Sequence, residues 1–522
     1  MSQSLISALH NAGCYDHPVS DLEVRETHIS WVILTGQYAY KIKKPLDFGF
    51  LDFSTLAKRK HFCEEEVRLN RRLADRLYLE AVPITGTPEA PRLGGAGEPF
   101  EYAVRMRQFD NAGLFSAMQA SGQLTQTLMD DLVDQMVSFH KQADRAGEES
   151  GFGTPEAVHA PVKENFDQVR PLLTDSDDIR RLSALETWAD ELFERLAPEM
   201  RRRRREGFVR ETHGDIHLGN AVIHDDRALI FDCIEFNDNF RWNDVCCELA
   251  FLLMDLEVRG EQGLAHHVLD RYLERSGDYT LVRLLPYYKA YRAMVRAKVA
   301  MFRLQQPGLH PADRQAVLAD YRRYVELAEG YSEIHFPYLL ISVGVSGSGK
   351  SRFTEQVVRQ LGGVRVRSDV ERKRLFGLEA LDSSGSALED GIYTPEATER
   401  TYARLAALAG TLLEAGYPVS IDATCLRRSQ RDLLRHEAEC RGLPVMLISF
   451  EADKQTLQAR IKKRSLKRVD ASEAGLDVLE RQLASLEPFT NEETGQLVHL
   501  DTTAEDANLT LVALIRDRLR LA

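Results

Sequence analysis

No run of about 18 consecutive apolar residues occurs anywhere in the 522-residue chain, which excludes a membrane-spanning helix of ordinary length. The first residues, MSQSLISALHNAGCYDHP, lack a basic stretch followed by an apolar one, so no secretory leader is expected and the chain is assigned to the cytoplasm. Cysteine is scarce. Seven residues, odd in number, irregular in spacing and without a C-x-x-C pair, argue for free, mostly structural thiols. Nor is there an excess of positive charge. The net charge is −13, with 41 Lys and Arg against 52 Asp and Glu over residues 1–330 and 26 against 28 over 331–522. That balance disfavours a dedicated nucleic-acid binder and suits a cationic or neutral substrate better. Internal repeats and long low-complexity tracts are also missing.

What remains is a soluble globular composition, 43% apolar and 28% charged, on a chain too long for one hydrophobic core. Over about 24–105, VRETHISWVIL and QYAYKIKK read as strands around a Thr-Gly turn. FCEEEVRLNRRLADRL has helical spacing, and EYAVRMRQF reads as a further strand. Helical periodicity covers about 113–205 and 241–330, with short apolar strands between them and breaks at Gly260, Gly277 and Pro307-Gly308. From Pro337 the grammar changes to strands alternating with helices (YLLISVGV, VRVRSD, YPVSIDA, PVMLISF), the pattern of a doubly wound parallel sheet. The predicted domains are 1–112, 113–333 and 334–522.

Two loops carry phosphate chemistry. In ETHGDIHLGN, Asp215 and Asn220 have the D-x-x-x-x-N spacing of a kinase catalytic loop, where a carboxylate meets the acceptor hydroxyl and a carboxamide meets a metal. The strand RALIFDCIEF then delivers Asp232 at the end of an apolar run, where a second metal ligand is needed. Upstream, AYK ends in Lys41, and EEEVRLNRRL supplies Glu65 to hold it. Lys43 shares the strand face of Lys41, so either lysine is a candidate for gripping phosphates, with Lys41 preferred. The second loop, GVSGSGKS, fits G-x-x-x-x-G-K-[ST] between a buried strand and a helix. Its amides cradle phosphates, Lys350 meets the β and γ oxygens, and Ser351 binds Mg²⁺.

The motifs HGDIHLGN, IFDCIEF, AYK and EEVRLN resemble those of the aminoglycoside phosphotransferase and choline kinase-like family over roughly residues 24–300. The resemblance implies a bilobal protein-kinase-like fold binding ATP and Mg²⁺, with Asp215 as base, Asn220 and Asp232 as metal ligands, and Lys41 with Glu65 on phosphates. The short turn Thr35-Gly36-Gln37 departs from a glycine-rich phosphate-covering loop.

Residues 338–490 are similar to the small P-loop kinases that include gluconate kinase, polynucleotide 5′-kinase and zeta-toxin-like proteins. That likeness implies a P-loop NTPase of α/β class, with Gly344, Ser346, Gly347, Ser348, Gly349, Lys350 and Ser351 on the nucleotide. It further implies Asp369 as base or acceptor-hydroxyl ligand. From the residues themselves, VSIDAT ends in Asp422, a candidate Mg²⁺-side carboxylate, and ARIKKRSLKRVDASEAGLDVLERQ carries Arg460, Arg464 and Arg468, read as a lid in preference to a solvated basic helix because it follows the fourth strand. Arg372 and Arg374 are placed behind Asp369, close to the phosphate loop. The whole resembles the fusion described as bifunctional aminoglycoside phosphotransferase/ATP-binding protein.

Some features stay open. His217 is read as packing or as a hydrogen-bonder to the base. Asp244 and Glu248 line an acceptor cleft or simply begin a helix. Arg201 to Arg205 read as a solvated helix end, and Lys289, Arg292 and Arg296 as the charged face of a helix packed through Tyr288, Tyr291 and Val295. The function expected is an ATP-dependent phosphotransferase with two nucleotide sites acting on a small-molecule hydroxyl, with no membrane partner. The alternatives are a polynucleotide end kinase and a kinase regulated by a nucleotide-sensing P-loop domain.

Overall fold

The computed structural model describes residues 2–49, 51–305, 309–333, 336–380, 382, 391–467, 472 and 475–521. The Pro307-Gly308 break and Arg468 of the expected lid lie outside them. The chain forms two compact units, Met1–Val258 with Tyr287–Tyr331, and Arg259–Pro286 with Ser332–Ala522.

The first unit begins with an antiparallel sheet of β1 (Glu23–Glu26), β2 (Ser30–Leu34), β3 (Tyr38–Lys43), β4 (Tyr78–Thr87), β5 (Ala90–Leu93) and β6 (Glu101–Arg107), in the order β1-β2-β3-β6-β4-β5. The stretch VRETHISWVIL is two strands, because Thr27 closes a tight turn on Ser30: its N–H donates to Ser30 O at 2.9 Å and its Oγ1 accepts from Ser30 N at 2.9 Å. Strand alternation sorts β3. Tyr40 and Ile42 pack with Ile33, Val82, Ile84 and Ala103, whereas Ala39 packs with Val104, Met106 and the helix residues Cys63 and Val67. Lys41 and Lys43 share the face of Ala39, turned toward that helix, Leu56–Ala74.

The rest of this unit is helical, with helices Gln126–Gln142, Pro155–Val169, Ser176–Arg205, Val245–Val258, Leu285–Phe302 and Pro311–Gly330. Two short antiparallel pairs frame the loop that carries Asp215 and Asn220: β7 (Val209–Glu211) with β10 (Trp242–Asp244), and the hairpin of β8 (Ala221–His224) with β9 (Arg227–Ile230). The arginine run is not wholly solvated. A helix turns about 100° per residue, and this turns Arg203 into the core, where Nε and Nη2 donate to the two Asp244 oxygens at 2.8 Å each. Asp244 is therefore a structural counter-ion.

The second unit holds a parallel sheet of β11 (Leu339–Val343), β12 (Val364–Arg367), β13 (Val419–Asp422), β14 (Val445–Glu451) and β15 (Leu497–Asp501), in the order β12-β13-β11-β14-β15. All four pairings are parallel, and the central strands are buried end to end, as a sheet covered on both faces requires. The edge strand β12 is covered by helix Gln262–Ser276: Asp270 accepts the Arg365 N–H at 2.8 Å, and Glu274 accepts from Arg365 Nη2 at 3.1 Å. No helix among the described residues is long and apolar enough to cross a membrane.

Candidate active site

In the first unit, a chain of buried acceptors sets the loop between β7 and β8. Glu248 accepts the Gly214 N–H at 2.6 Å and holds His140 Nε2 at 2.7 Å, so it anchors the loop and does not line a cleft. Asp255 accepts the Leu218 N–H at 3.0 Å. Gly214 has φ 89° and a Cβ there would meet Phe240 O at 2.8 Å, so only glycine fits. His213 spans the loop, with Nε2 donating to Phe231 O at 3.0 Å and Nδ1 accepting from Asp215 N at 3.3 Å; burial pushes its imidazole below the ordinary range.

Asp215 and Asn220 meet. Asn220 Nδ2 donates to both Asp215 O and Oδ2 at 3.0 Å, which turns the amide oxygen to the other side. His217 Nδ1 accepts from Gly219 N at 3.0 Å, and Nε2 lies 3.5 Å from Asp215 Oδ2, so the imidazole is both packed and a partner of the carboxylate. Burial pushes the Asp215 carboxyl up, but the charge and hydrogen bond of His217, with Arg292 and His213 behind, bring it down to about 2. Such a carboxylate is ionised throughout the physiological range.

Asp232 follows β9 with φ 64°, a left-handed conformation costly for a residue with a Cβ. Its Oδ1 accepts from Lys41 Nζ at 2.7 Å, and the same ammonium donates to Glu66 Oε1 at 2.8 Å. The structure corrects the pairing expected for Lys41: the partner is Glu66, and Glu65 instead pairs along the helix with Arg68 at 2.8 Å. The reason is helical phase. Cys63, Glu66, Val67, Asn70 and Ala74 form the buried stripe, and Glu65 stands off it. The stripe was visible in the sequence and would have chosen among the three consecutive glutamates. Lys43 is bound to the other Glu66 oxygen at 2.6 Å and to Glu235, which the sequence reading did not single out. Burial pulls the Lys41 ammonium down, yet Asp232 and Glu66 hold it well above its ordinary value. Of the two lysines, Lys41 reaches the metal-ligand candidate and Lys43 is closed in by carboxylates.

In the second unit, the loop after β11 has Gly344, Gly347 and Gly349 at φ 153°, 84° and 99°. A Cβ on Gly344 would meet Ser348 Oγ at 2.8 Å and Phe450 O at 2.9 Å. Lys350 folds back on this loop, donating to Gly344 O at 3.0 Å and Val345 O at 2.9 Å. Burial lowers its ammonium, Asp422 and Asp369 act against burial, and Arg464 acts with it, so four of the expected residues share one field. The Ser346 N–H is taken by Gln482 Oε1 at 2.7 Å, an acceptor 136 residues away that no local motif marks. Arg460 braces the loop from behind, donating to Gly347 O at 3.3 Å and Thr502 O at 3.0 Å. It is therefore an anchor and not a lid residue. Arg372 and Arg374 find other partners, Arg372 donating to Ile392 O, and Arg374 pairing with Glu371 of its own helix and donating to Glu274 O.

The donor sets fit Mg²⁺. Asp422 is buried at the end of β13, its Oδ2 lies 3.4 Å from Arg367 Nε, and that oxygen accepts no hydrogen bond. Among the described residues no three His, Cys, Asp or Glu side chains converge to hold an ion unaided. Sites of one or two protein oxygens, completed by phosphates and water, are the usual form for this ion.

Comparison with known proteins adds the lineage. The model of the phosphotransferase enzyme family matches residues 51–285, and that of an AAA domain matches 339–489. An uncharacterized protein of Mycobacterium tuberculosis strain H37Rv is 30% identical over 440 residues, covering 82% of this chain and 85% of that protein. Among solved structures, a choline/ethanolamine kinase family protein from Mesorhizobium loti covers 63% of this chain and 97% of its own, at 11% identity and TM-score 0.37. A gluconokinase from Sinorhizobium meliloti 1021 covers 36% and 97%, at 23% identity and TM-score 0.26.

Proposed function

The chain belongs to the family of that mycobacterial protein and itself joins a kinase-like phosphotransferase domain to a P-loop kinase domain, and from this premise we propose an ATP-dependent phosphotransferase with two nucleotide sites. Each site moves the γ-phosphoryl group of ATP to a hydroxyl of a small molecule. The observation that carries the reading is Lys41, gripped at once by Glu66 and Asp232, three groups that come from a strand, a helix and the segment after β9. Such convergence of one ammonium and two carboxylates is what phosphate gripping beside a metal ligand needs.

In the first unit Lys41 holds the phosphates, Asn220 and Asp232 are the residues that would hold Mg²⁺, and Asp215 orients the acceptor hydroxyl and takes its proton. Mg²⁺, when bound, supplies neutralisation of phosphate charge as the terminal bridge breaks. In the second unit the amides of Gly344 to Ser351 and the Lys350 ammonium hold the phosphates. Ser351 and Asp422 would hold the ion, Asp369 faces the acceptor, and Arg464 offers positive charge to the transferring group. Because the strand-end field around Lys350 gathers Asp369, Asp422 and Arg464, this unit is read as a working kinase rather than a binder only.

Transfer of labelled phosphate from ATP across aminoglycosides, sugars, nucleosides and RNA ends tests the reading. Asp215→Ala is expected to remove one set of products and Lys350→Ala another. Products untouched by both substitutions would overturn the assignment.

A further inference from the structure

Three of the four cations on helix Leu285–Phe302, Lys289, Arg292 and Arg296, share the stripe read from the sequence, and the structure treats them differently. Lys289 is neutralised in the ordinary way, donating to Glu257 at 2.6 Å. Arg292 is only 4% exposed, against the solvated face its spacing suggested. Its guanidinium stacks 4.8 Å from the Phe251 ring and 5.3 Å from Tyr291, with the Cys247 thiol as its hydrogen-bonding neighbour, and Nε makes no hydrogen bond. Arg296, one turn on, has the Tyr324 hydroxyl as its side-chain partner. Neither arginine has a carboxylate within ion-pair distance among the described residues, in a part of the chain where acids outnumber bases.

Leaving a guanidinium buried without a contacting anion is strongly unfavourable. The location says what offsets it. Phe251, under Arg292, is also 5.3 Å from the His217 ring, and His217 is the neighbour of Asp215. Asp215 is the carboxylate whose field reaches both arginines, and Asp255, which reaches Arg296, is occupied by the Leu218 N–H. Arg292 thus stands beside the proposed acceptor base, across one aromatic ring, and Arg296 follows one helical turn on, within the field of the same carboxylate.

We infer that Arg292 and Arg296 bind an anionic group of the acceptor, so that the first unit phosphorylates a hydroxyl on a molecule already bearing a phosphate or a carboxylate. The inference rests on the reading of Asp215 as the acceptor base. It departs from the cationic or neutral substrate that net charge suggested, because a local pair of unpaired guanidinium groups outweighs a diffuse acidic surface at contact distance. The balance of the step is simple. The acceptor oxygen bonds to the γ-phosphorus, the bond from that phosphorus to the bridging oxygen breaks to leave ADP, and the hydroxyl proton passes to Asp215. The arginines take no part in bond making; they fix which hydroxyl faces Asp215.

Inorganic phosphate is the first probe, titrated into the full chain carrying Lys350→Ala so that the P-loop does not compete, with hydrogen exchange followed over residues 285–302. Saturable protection is expected, weakened about 10- to 100-fold by Arg292→Gln or Arg296→Gln and partly restored by Arg292→Lys. Absence of protection, or protection indifferent to both arginines, overturns the inference. Initial rates with glucose, glucosamine, gluconate and glucose 6-phosphate then tell carboxylate from phosphate, the favoured anion losing through KM in the arginine variants. A glucosamine preference would also overturn it. Asp215→Asn separates the two claims: if it leaves transfer intact while phosphate still binds at the arginines, it is the assignment of the base that fails.

Discussion

Replacing Glu66 by Gln removes one negative charge from between two buried ammonium groups while keeping the shape of the side chain. In the native protein Glu66 is fully buried, with Oε1 at 2.8 Å from Lys41 Nζ and Oε2 at 2.6 Å from Lys43 Nζ. Burial alone would raise its carboxyl, but Lys41 and then Lys43 overcome this and bring it down to about 2 from an ordinary 4.5. A drop of that size corresponds to about 3 kcal/mol of stability at neutral pH, at roughly 1.4 kcal/mol per unit. Because the folded value lies below the unfolded one, this contribution is present above about pH 4.5 and fades as pH falls toward 2. Asp232 and Glu235 still contact the lysines in the variant, so the fold survives with a loss of about 2 to 4 kcal/mol. Thermal melting at pH 7 should show the first unit's transition lowered by about 5 to 10 °C. The gap should narrow as the pH is brought down to 3. Glu65→Gln, which breaks only a surface pair with Arg68, should cost at most about 0.5 kcal/mol. Equal losses for the two variants, or a Glu66→Gln gap independent of pH, would refute the reasoning.

Arg203→Met should destabilise the first unit by about 3 kcal/mol in denaturant titration by stranding the buried Asp244, whereas Arg205→Ala should leave the midpoint unchanged; equal effects would restore a solvated run. Gly344→Ala should abolish nucleotide binding at the P-loop, since its Cβ has 2.9 Å to a backbone carbonyl, and fluorescent-nucleotide titration checks it against wild type. Gln482→Ala frees the Ser346 N–H for phosphate, so P-loop nucleotide affinity should rise about 3- to 10-fold; a fall would mean that Gln482 itself contacts the nucleotide.

Local patterns made much of this molecule legible before its structure. The glycine-lysine loop sits between a buried strand and a helix, and that context needs no distant contact to be read. Asp215 and Asn220 are five residues apart and meet through one side-chain amide, again a local event. Strands β4 and β5 were missed because Pro83, Gly86 and Pro91 interrupt their alternation, and only pairing with β6 holds β4 in the sheet. Choices made by distant partners were equally hidden. Glu66 is selected by a helix facing β3, Arg203 by Asp244 41 residues away, and Arg292 by a ring on another helix. Segment Arg259–Pro286 groups with the P-loop unit through Asp270, Glu274 and Tyr279, whose partners at Arg365 and Glu371 lie about ninety residues on.

Calorimetric titration of the full chain with Mg²⁺ and a non-hydrolysable ATP analogue addresses the claim of two separate triphosphate sites most directly. A stoichiometry of two is expected, falling to one in Lys41→Met and to one in Lys350→Ala, with the surviving site's affinity unchanged in each. A single site lost in only one of the variants, or no uptake at all, would contradict it.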